Sequence, residues 1–525
     1  MASAVTDLHT EEVVVEVDAL TTTGHVDEAT ALARRALADG SLPRATAAVL
    51  RLRLSSILFM TDRAEAAVTE AENVLAEPGL PEDLYGAAEL ARLLALVAEG
   101  DVDRARDRAQ TVLAGDGGHG SDAGLAGALS ALAFAAQDEG RPDEALALRH
   151  AAVQRADRLP REARHNQHPR LGLVHDLTAL GRFDEAGSTL QLVRADIEVT
   201  GDRAWSAAAA IADARLHLAD GRLDEARTEA AAALSTAEAS GARTFATPAH
   251  TVLASAALVA GDLHVAEDHL GLARPRQRQR PTWLETRLAV ARRGPDGAPD
   301  LVTALCDRLP AHRRLLVEEP AAAAWLVRAT LAAGDRRRAD AVAACAELLA
   351  IGNPRFPSLA AAAAHARGLL RADAEGLGRA AAGYRHPWAR ASAHEDAGVA
   401  CADAGRRSAC RAALDQALAL YTRMGAERDA SRVRDRLADL PRRRPGRHAR
   451  AVSGWASLTD TERRVAHVVA EGLTNAGAAD RLFLSRHTVD FHLRQIFRKL
   501  GIRSRVGLTR IVLDHPAADR RPTVD

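Results

Sequence analysis

Residues 221–239 read GRLDEARTEAAAALSTAEA. The glycine ends one helix, because it accepts the left-handed backbone that other residues resist. The aspartate is expected to cap the next helix, and the glutamate in its first turn suits the helix dipole. Behind them Leu223, Ala226, Ala230 and Leu234 share one helical face. The alanine of the phrase is placed where two helices approach closely.

The phrase recurs. It opens at Gly24 (GHVDEA), Gly100 (GDVDRA), Gly140 (GRPDEA), Gly181 (GRFDEA), Gly261 (GDLHVA), Gly334 (GDRRRA) and Gly405 (GRRSAC), with a degenerate copy, TDRAEA, from Thr61. From Thr61 to Gly261 the steps are 39, 40, 41, 40 and 40 residues. The gap from Gly261 to Gly334 is close to two periods, so one copy is expected to have decayed. A fixed period with a helix pair per repeat marks a helical solenoid. Composition agrees: aromatics are only 3% of 525 residues, and alanine and leucine dominate, which favours closely packed helices over sheet. No segment alternates with period two for long.

Two stretches break the rhythm. AGDGGHGSDAG, Ala114 to Gly124, reads as a loop between helices, and ARPRQRQRPTW, Ala273 to Trp283, as a basic solvated loop. PRRRPGRHAR, Pro441 to Arg450, cannot build a core and reads as a linker. Charge divides at the same place. Between Pro441 and Asp525, sixteen arginines and one lysine face eight acids, a net of +9; residues 1–440 then carry −10 of the total −1. Only the end of the chain is built to meet a polyanion.

Beyond the linker the chain reads LTDTERRVAHVVAEGLTNAGAADRLFLSRHTVDFHLRQIFRKLGIRSRVGLTRIVLDH from Leu458. Thr459 with Glu462 three residues on forms a capping box. Gly472 stops the first helix, Asn475 caps a short second one, and Ser485 caps a third, Arg486 to Leu500. Gly501 ends it and Ser504 opens a fourth. On the third helix Val489, Leu493, Ile496, Phe497 and Leu500 form the core face, while His487, Phe491, Arg494, Gln495 and Arg498 lie opposite. An apolar back and a cationic front, set by a tight turn against a shorter helix, fit the major groove of double-stranded DNA. Arginines there pair with guanine or clamp phosphates, and Phe491 suits a thymine methyl. Asp490, a carboxylate among phosphates, has two roles that fit: accepting from cytosine N4, or bracing Arg494 four residues on. The i,i+4 geometry favours the brace.

These residues resemble the LuxR-type helix-turn-helix domain, through Leu458, Thr459, Glu462, Gly472, Asn475, Leu482, Ser485, Thr488, Val489, His492, Lys499, Leu500, Ser504 and Arg505. The resemblance implies that Asp490, Phe491 and Arg494 read base edges while Thr488, Lys499 and Arg505 position the backbone. The candidate DNA-contacting set is therefore Thr488, Asp490, Phe491, Arg494, Gln495, Arg498, Lys499, Arg503 and Arg505. The chain departs from the family at Asp490, commonly lysine, and at Ala476-Gly477-Ala478, often Lys-Glu-Ile. The family's last helix often dimerises, which points to a homodimer through Leu508–Leu513.

The repeats resemble tetratricopeptide repeats stretched to about forty residues, with most of that family's aromatic positions missing. The stretch from His386 to Leu440 resembles the repeat ahead of the terminal domain in the large ATP-binding LuxR-type regulators. Their P-loop requires a lysine, and Lys499 is the only lysine here, so the chain reads as the rear half of that architecture without the ATPase domain.

The expected fold is all-α: a tetratricopeptide-like helical solenoid at 1–440, a basic linker at 441–453, a four-helix helix-turn-helix domain at 454–518 and a tail at 519–525. The expected function is a sequence-specific DNA-binding transcriptional regulator whose repeats receive a protein, peptide or small-molecule effector. The alternative is a repeat-based interaction scaffold whose terminal domain binds a protein. Nothing has the spacing of an enzyme's nucleophile elbow, paired carboxylates or metal ligands; His168 and His175 are a stray pair in a repeat. No cofactor or metal is expected. The scattered cysteines Cys306, Cys345, Cys401 and Cys410 read as reduced thiols in a core. With no membrane-length apolar run and no leader pattern, a cytoplasmic protein is expected.

Overall fold

The computed structural model describes residues 2–115, 121–160, 169–200, 203–273, 282–294, 297–440 and 454–515. Among the described residues every regular element is helical and there is no strand. The linker at 441–453 and the tail at 519–525 lie outside the described residues, as do 116–120 and 274–281 of the two expected loops. Of the first loop, Asp122 to Gly124 instead open a helix capped by Ser121. The chain divides by packing into two units, Met1–Leu288 with Pro299–Arg434, and Ala289–Ala298 with Asp435–Asp525.

In the first unit successive helices pack as hairpins, Asp122–Asp138 on Pro142–Ala156, Arg203–Ala219 on Leu223–Ala239 and Pro387–Asp403 on Arg407–Met424. The leading helix of one hairpin also packs on the leading helix of the next, as Glu82–Glu99 does on Asp122–Asp138, and Pro169–Ala179 on Arg203–Ala219. This stacking is the solenoid. All eight glycines of the phrase, from Gly24 to Gly405, have φ between 71° and 99°. The fifth residue after each is buried at the crossing: Ala29, Ala145, Ala186, Ala226, Ala339 and Cys410 are 0% exposed, and Ala105 and Ala266 are 1%.

Three details differ from the reading above. The cap falls on the residue directly after the glycine, because one left-handed residue completes the turn. Where that residue is aspartate (Asp101, Asp262 and Asp335) its side chain accepts from the N–H of Arg104, Val265 and Arg338. In GRPDEA and GRLDEA the position is Arg141 or Arg222, with no side-chain cap, and the aspartate is already helical, serving the dipole instead. The degenerate copy starts one residue later than Thr61: Asp62 takes the glycine's place at φ 62° and Ala67, not Ala66, is the buried alanine. The decayed copy is held by the shorter helices Trp283–Arg293 and Pro299–Arg308, with Gly294 at φ 79° between them. All four cysteines are buried and in no disulfide.

The turns of the middle repeats are not free tips. A side-chain carbon at Gly140 would meet Leu349 Cδ1 at 2.8 Å and Arg313 Cβ at 2.9 Å. Its carbonyl accepts from Asn353 Nδ2 at 3.0 Å, and the neighbouring Asp138 carbonyl accepts from Arg313 N–H at 2.8 Å. In the same way Gly181 faces Arg385, Gly221 faces Met424 and Gly261 faces Arg428. Phe183 meets the ring of His386 edge-on at 5.3 Å. The array therefore folds back, each middle turn seated against a segment more than 150 residues further along.

His386 is buried in that seam, and burial pushes its ring down to about 4. It is neutral in the folded chain, while the unfolded chain takes up a proton below its ordinary pKa of about 6.5. Its contribution to stability is therefore lost as pH falls from about 6.5 to about 4, up to roughly 3 kcal/mol. In urea melts at several pH values, His386→Leu should flatten the acid-side fall in stability; an unchanged slope would contradict the assignment. Gly140→Ala should cost about 2–4 kcal/mol, through left-handed strain plus the clash with Leu349 and Arg313. Gly100→Ala, with φ 83° but nothing within 4 Å, should cost only about 1–2 kcal/mol in the same melts.

Candidate nucleic-acid interface

The terminal domain builds one face from the bottom up. Thr459 accepts from Glu462 N–H at 3.2 Å while the Glu462 carboxylate accepts from Thr459 N–H at 2.7 Å, which sets the start of helix Asp460–Ala470. The second helix, Asn475–Leu482, is capped by Thr474 rather than Asn475, since the Thr474 hydroxyl accepts from Gly477 N–H. Phe483 turns the chain at φ 56°, and Ser485 caps helix Arg486–Leu500 by accepting from Thr488 N–H at 3.0 Å. Gly501 ends it at φ 68°, and Ser504 caps helix Arg505–Leu513.

Val489, Leu493 and Ile496 bury the back of the third helix against Val465, Val468, Val469, Ala478, Ala479, Leu508 and Val512, with Phe497 and Leu500 half-buried at the edge. His492 is also buried, at 3% exposure, so it packs rather than faces solvent. On the opposite side Phe491 is 55% exposed, and Arg494 and Arg498 are exposed beside a half-buried Gln495. Two helices at a tight turn, the second offering cations outward from an apolar root, make a helix-turn-helix.

Residues 456–512 match the family of bacterial regulatory proteins, luxR family. The terminal domain is a LuxR-type helix-turn-helix domain. The similarity extends to a protein of Mycobacterium tuberculosis (strain ATCC 25618 / H37Rv) named as an HTH-type transcriptional regulator, 44% identical over 88 residues, 17% of this chain and 10% of that protein. The nitrate/nitrite response regulator protein NarP of Escherichia coli (strain K12) is 43% identical over 64 residues, 12% of this chain and 30% of NarP. A nitrate/nitrite response regulator protein homolog of Haemophilus influenzae (strain ATCC 51907 / DSM 11121 / KW20 / Rd) is 47% identical over 53 residues, 10% of this chain and 26% of its own. The chain thus spans about a tenth to a third of the curated relatives it matches. Over its greater length it aligns with a chain of the APC/C hetero-tetramer Cut9-Hcn1 at TM-score 0.37 and 12% identity, covering 81% of this chain and 90% of that one.

Within the LuxR-type domain the candidate residues separate into two groups. Phe491, Arg494, Arg498 and Arg503 are exposed, and Arg494 and Arg503 make no ion pair among the described residues. Arg498 donates to the Gln495 amide oxygen. The other residues are engaged inside the domain. Thr488 Oγ1 lies 2.8 Å from the Ser485 hydroxyl. Lys499 Nζ donates to Glu462 Oε1 at 2.7 Å and Oε2 at 2.5 Å, so the single lysine neutralises a buried carboxylate rather than standing among the arginines.

Asp490 does not brace Arg494. Its Oδ1 accepts from Asn475 Nδ2, and Arg505 donates to Asn475 Oδ1 and, at 2.8 Å, to the Leu473 carbonyl. The chemistry fixes the amide's orientation. A guanidinium only donates and a carboxylate only accepts, so the amide oxygen must face Arg505 and its nitrogen Asp490. Arg505, Asn475 and Asp490 tie the fourth, second and third helices together. Sequence reading missed Phe483, 96% exposed at the turn before the third helix. Its signal lay in LFLS, Leu482 to Ser485, which sets a phenylalanine at the turn.

Lys499→Met should lower the domain's stability by roughly 1.5–3 kcal/mol, since it strands the Glu462 carboxylate. Arg494→Ala should leave stability nearly unchanged. Thermal melts followed by circular dichroism compare the two, and equal losses would contradict the division into engaged and open cations.

Proposed function

We propose that the protein is a sequence-specific DNA-binding transcriptional regulator whose helical-repeat region, 1–440, receives a protein, peptide or small-molecule signal. The basic linker at 441–453 joins it to the DNA-binding domain at 454–518, and 519–525 form a tail. The observation that carries this reading is the exposed Phe491, Arg494 and Arg498 on the third helix of a LuxR-type domain, backed by Val489, Leu493 and Ile496. Double-stranded DNA is the partner and the bacterial cytoplasm the place of action. Arg494 and Arg498 take guanine edges or phosphates, Gln495 and Phe491 take neighbouring base edges, and Arg503 takes a phosphate. Thr488, Lys499 and Arg505 position the domain against the backbone, the last two by holding helices in register. Asp490, oriented by Asn475, offers its remaining lone pairs to cytosine N4. A homodimer forms through the last helix, Leu508–Leu513. Leu508 is buried in the domain, so Val506 and Leu513, 72% and 74% exposed, supply the apolar contact.

Fluorescence anisotropy of the full-length chain with a promoter duplex tests this. Affinity should fall steeply with salt, and Arg494→Ala or Arg498→Ala should each lower the log–log salt slope by about 1 if it clamps a phosphate. Asp490→Ala should change affinity for the preferred duplex by roughly tenfold and for random duplex by much less, as loss of one base contact does. Salt-insensitive binding would instead favour a protein partner for the terminal domain.

A further inference from the structure

Several arginines of the repeat unit come with acids. Arg149 pairs with Asp176 at 3.0 Å, Arg328 with Asp396, and Arg432 with Glu395 at 2.6 Å. Arg287 lies instead over two indole rings, 5.5 Å from Trp283 and 4.9 Å from Trp388. Arg215 has neither arrangement. Among the described residues its one hydrogen bond runs from Nη1 to His175 Nδ1 at 3.4 Å.

The neighbouring groups are His175 from helix Pro169–Ala179, Arg314 and Glu318 from helix Arg314–Glu318, and Phe134 from helix Asp122–Asp138. His175 Nε2 lies 2.7 Å from Glu318 Oε1, Arg314 pairs with the same oxygen, and the Arg314 guanidinium sits 4.2 Å above the Phe134 ring. A carboxylate only accepts, so His175 Nε2–H faces Glu318 at 2.7 Å and the Nδ1 lone pair faces Arg215, with Arg314 Nη2 standing 3.4 Å from Nε2 as a second cation. Glu318 thus pairs directly with Arg314 and reaches Arg215 only through His175. Burial pushes Arg215 below its ordinary range, against the pull of Glu318, and Arg314 adds to the effect. Burial opposes ionisation of Glu318, yet Arg314 and His175 hold it well below the usual carboxylate range. Asp176 and Asp138, the next acids, are already paired with Arg149 and with His312 at 2.8 Å. The cluster is not sealed: the side chains of His175, Arg314 and Glu318 keep 25%, 25% and 27% of their surface, and Arg215 is half-buried.

We propose that Arg215, with His175 and Arg314 beside it, is a receptor for a small anionic ligand carrying a carboxylate or phosphate group, which docks on the guanidinium edge that no acceptor among the described residues uses. A planar guanidinium takes either group through two parallel hydrogen bonds. The site joins helices Pro169–Ala179 and Arg203–Ala219 to Arg314–Glu318, more than 90 residues further along the chain. Occupancy would thus stiffen the fold-back. The site deepens the signal-receiving reading above by giving the signal a charge and a place.

The test titrates the full-length protein with succinate and, separately, with inorganic phosphate, at ionic strength held constant with sodium chloride, and follows the thermal midpoint. A saturable rise of about 2 °C or more with either anion is expected, and the anion that gives it names the class. Arg215→Met should abolish that rise while raising the anion-free midpoint, because it removes an uncompensated cation. Arg337→Met, at an exposed position, should keep the rise. No saturable rise with either anion overturns the proposal. So does a rise that survives Arg215→Met, or an anion-free midpoint that drops in that variant with the rise retained. DNA affinity measured in the same samples separates the two readings: a saturable rise without a change in DNA binding supports the site and overturns only its role in signalling.

Discussion

The repeat unit depends on how closely two helices can cross at the fifth residue after each turn. That residue is alanine in seven of the eight glycine-led phrases and cysteine in the eighth, and none is more than 1% exposed. A larger side chain there would hold the hairpin apart, and because every hairpin stacks on the next, the error would pass along the array. The low aromatic content follows from the same constraint. A core of alanines meeting backbone to backbone leaves few spaces of the size that phenylalanine or tryptophan fills. Two of the chain's five tryptophans, Trp283 and Trp325, pack 5.0 Å apart near the copy that decayed.

The cations of the terminal domain divide into those tied to its own groups and those left open. Lys499 and Arg505 look alike to a charge count, yet both are tied to groups of the domain itself, to Glu462 and to Asn475 with Leu473. Arg494 and Arg503 have no such tie among the described residues. The same internal tying explains how a carboxylate persists among these arginines. Asp490 is anchored through an amide whose orientation is set from its other side by a guanidinium, so it is already hydrogen-bonded within the domain before any DNA arrives.

Much of this was legible in the sequence because it is local. Turn glycines, buried alanines, the Thr459–Glu462 box and the apolar back of the third helix each rest on residues within a few positions of one another. Register was less legible. The aspartate of GRLDEA and Asn475 both have a cap's chemistry but stand one or two residues inside the helix, and only the position of the left-handed residue decides which one caps. The pairing of Asp490 with Asn475 rather than Arg494, fifteen positions against four, depends on how the second helix lies beside the third. The cluster around Glu318 was hidden for a further reason. It lies where the forty-residue pattern fails, and His175, dismissed as half of a stray pair, meets a residue 143 positions away.

The seating of the Gly140, Gly181, Gly221 and Gly261 turns against later segments changes what kind of object the repeat unit is. An open stack of hairpins can be lengthened or shortened one hairpin at a time, since each touches only its neighbours. Here a deletion near residue 350 or 385 would unseat a turn two hundred residues upstream. The number of hairpins is thus locked by geometry, as the number of staves is locked in a closed cask, and evolution by gain or loss of single repeats is barred to this stretch of the chain.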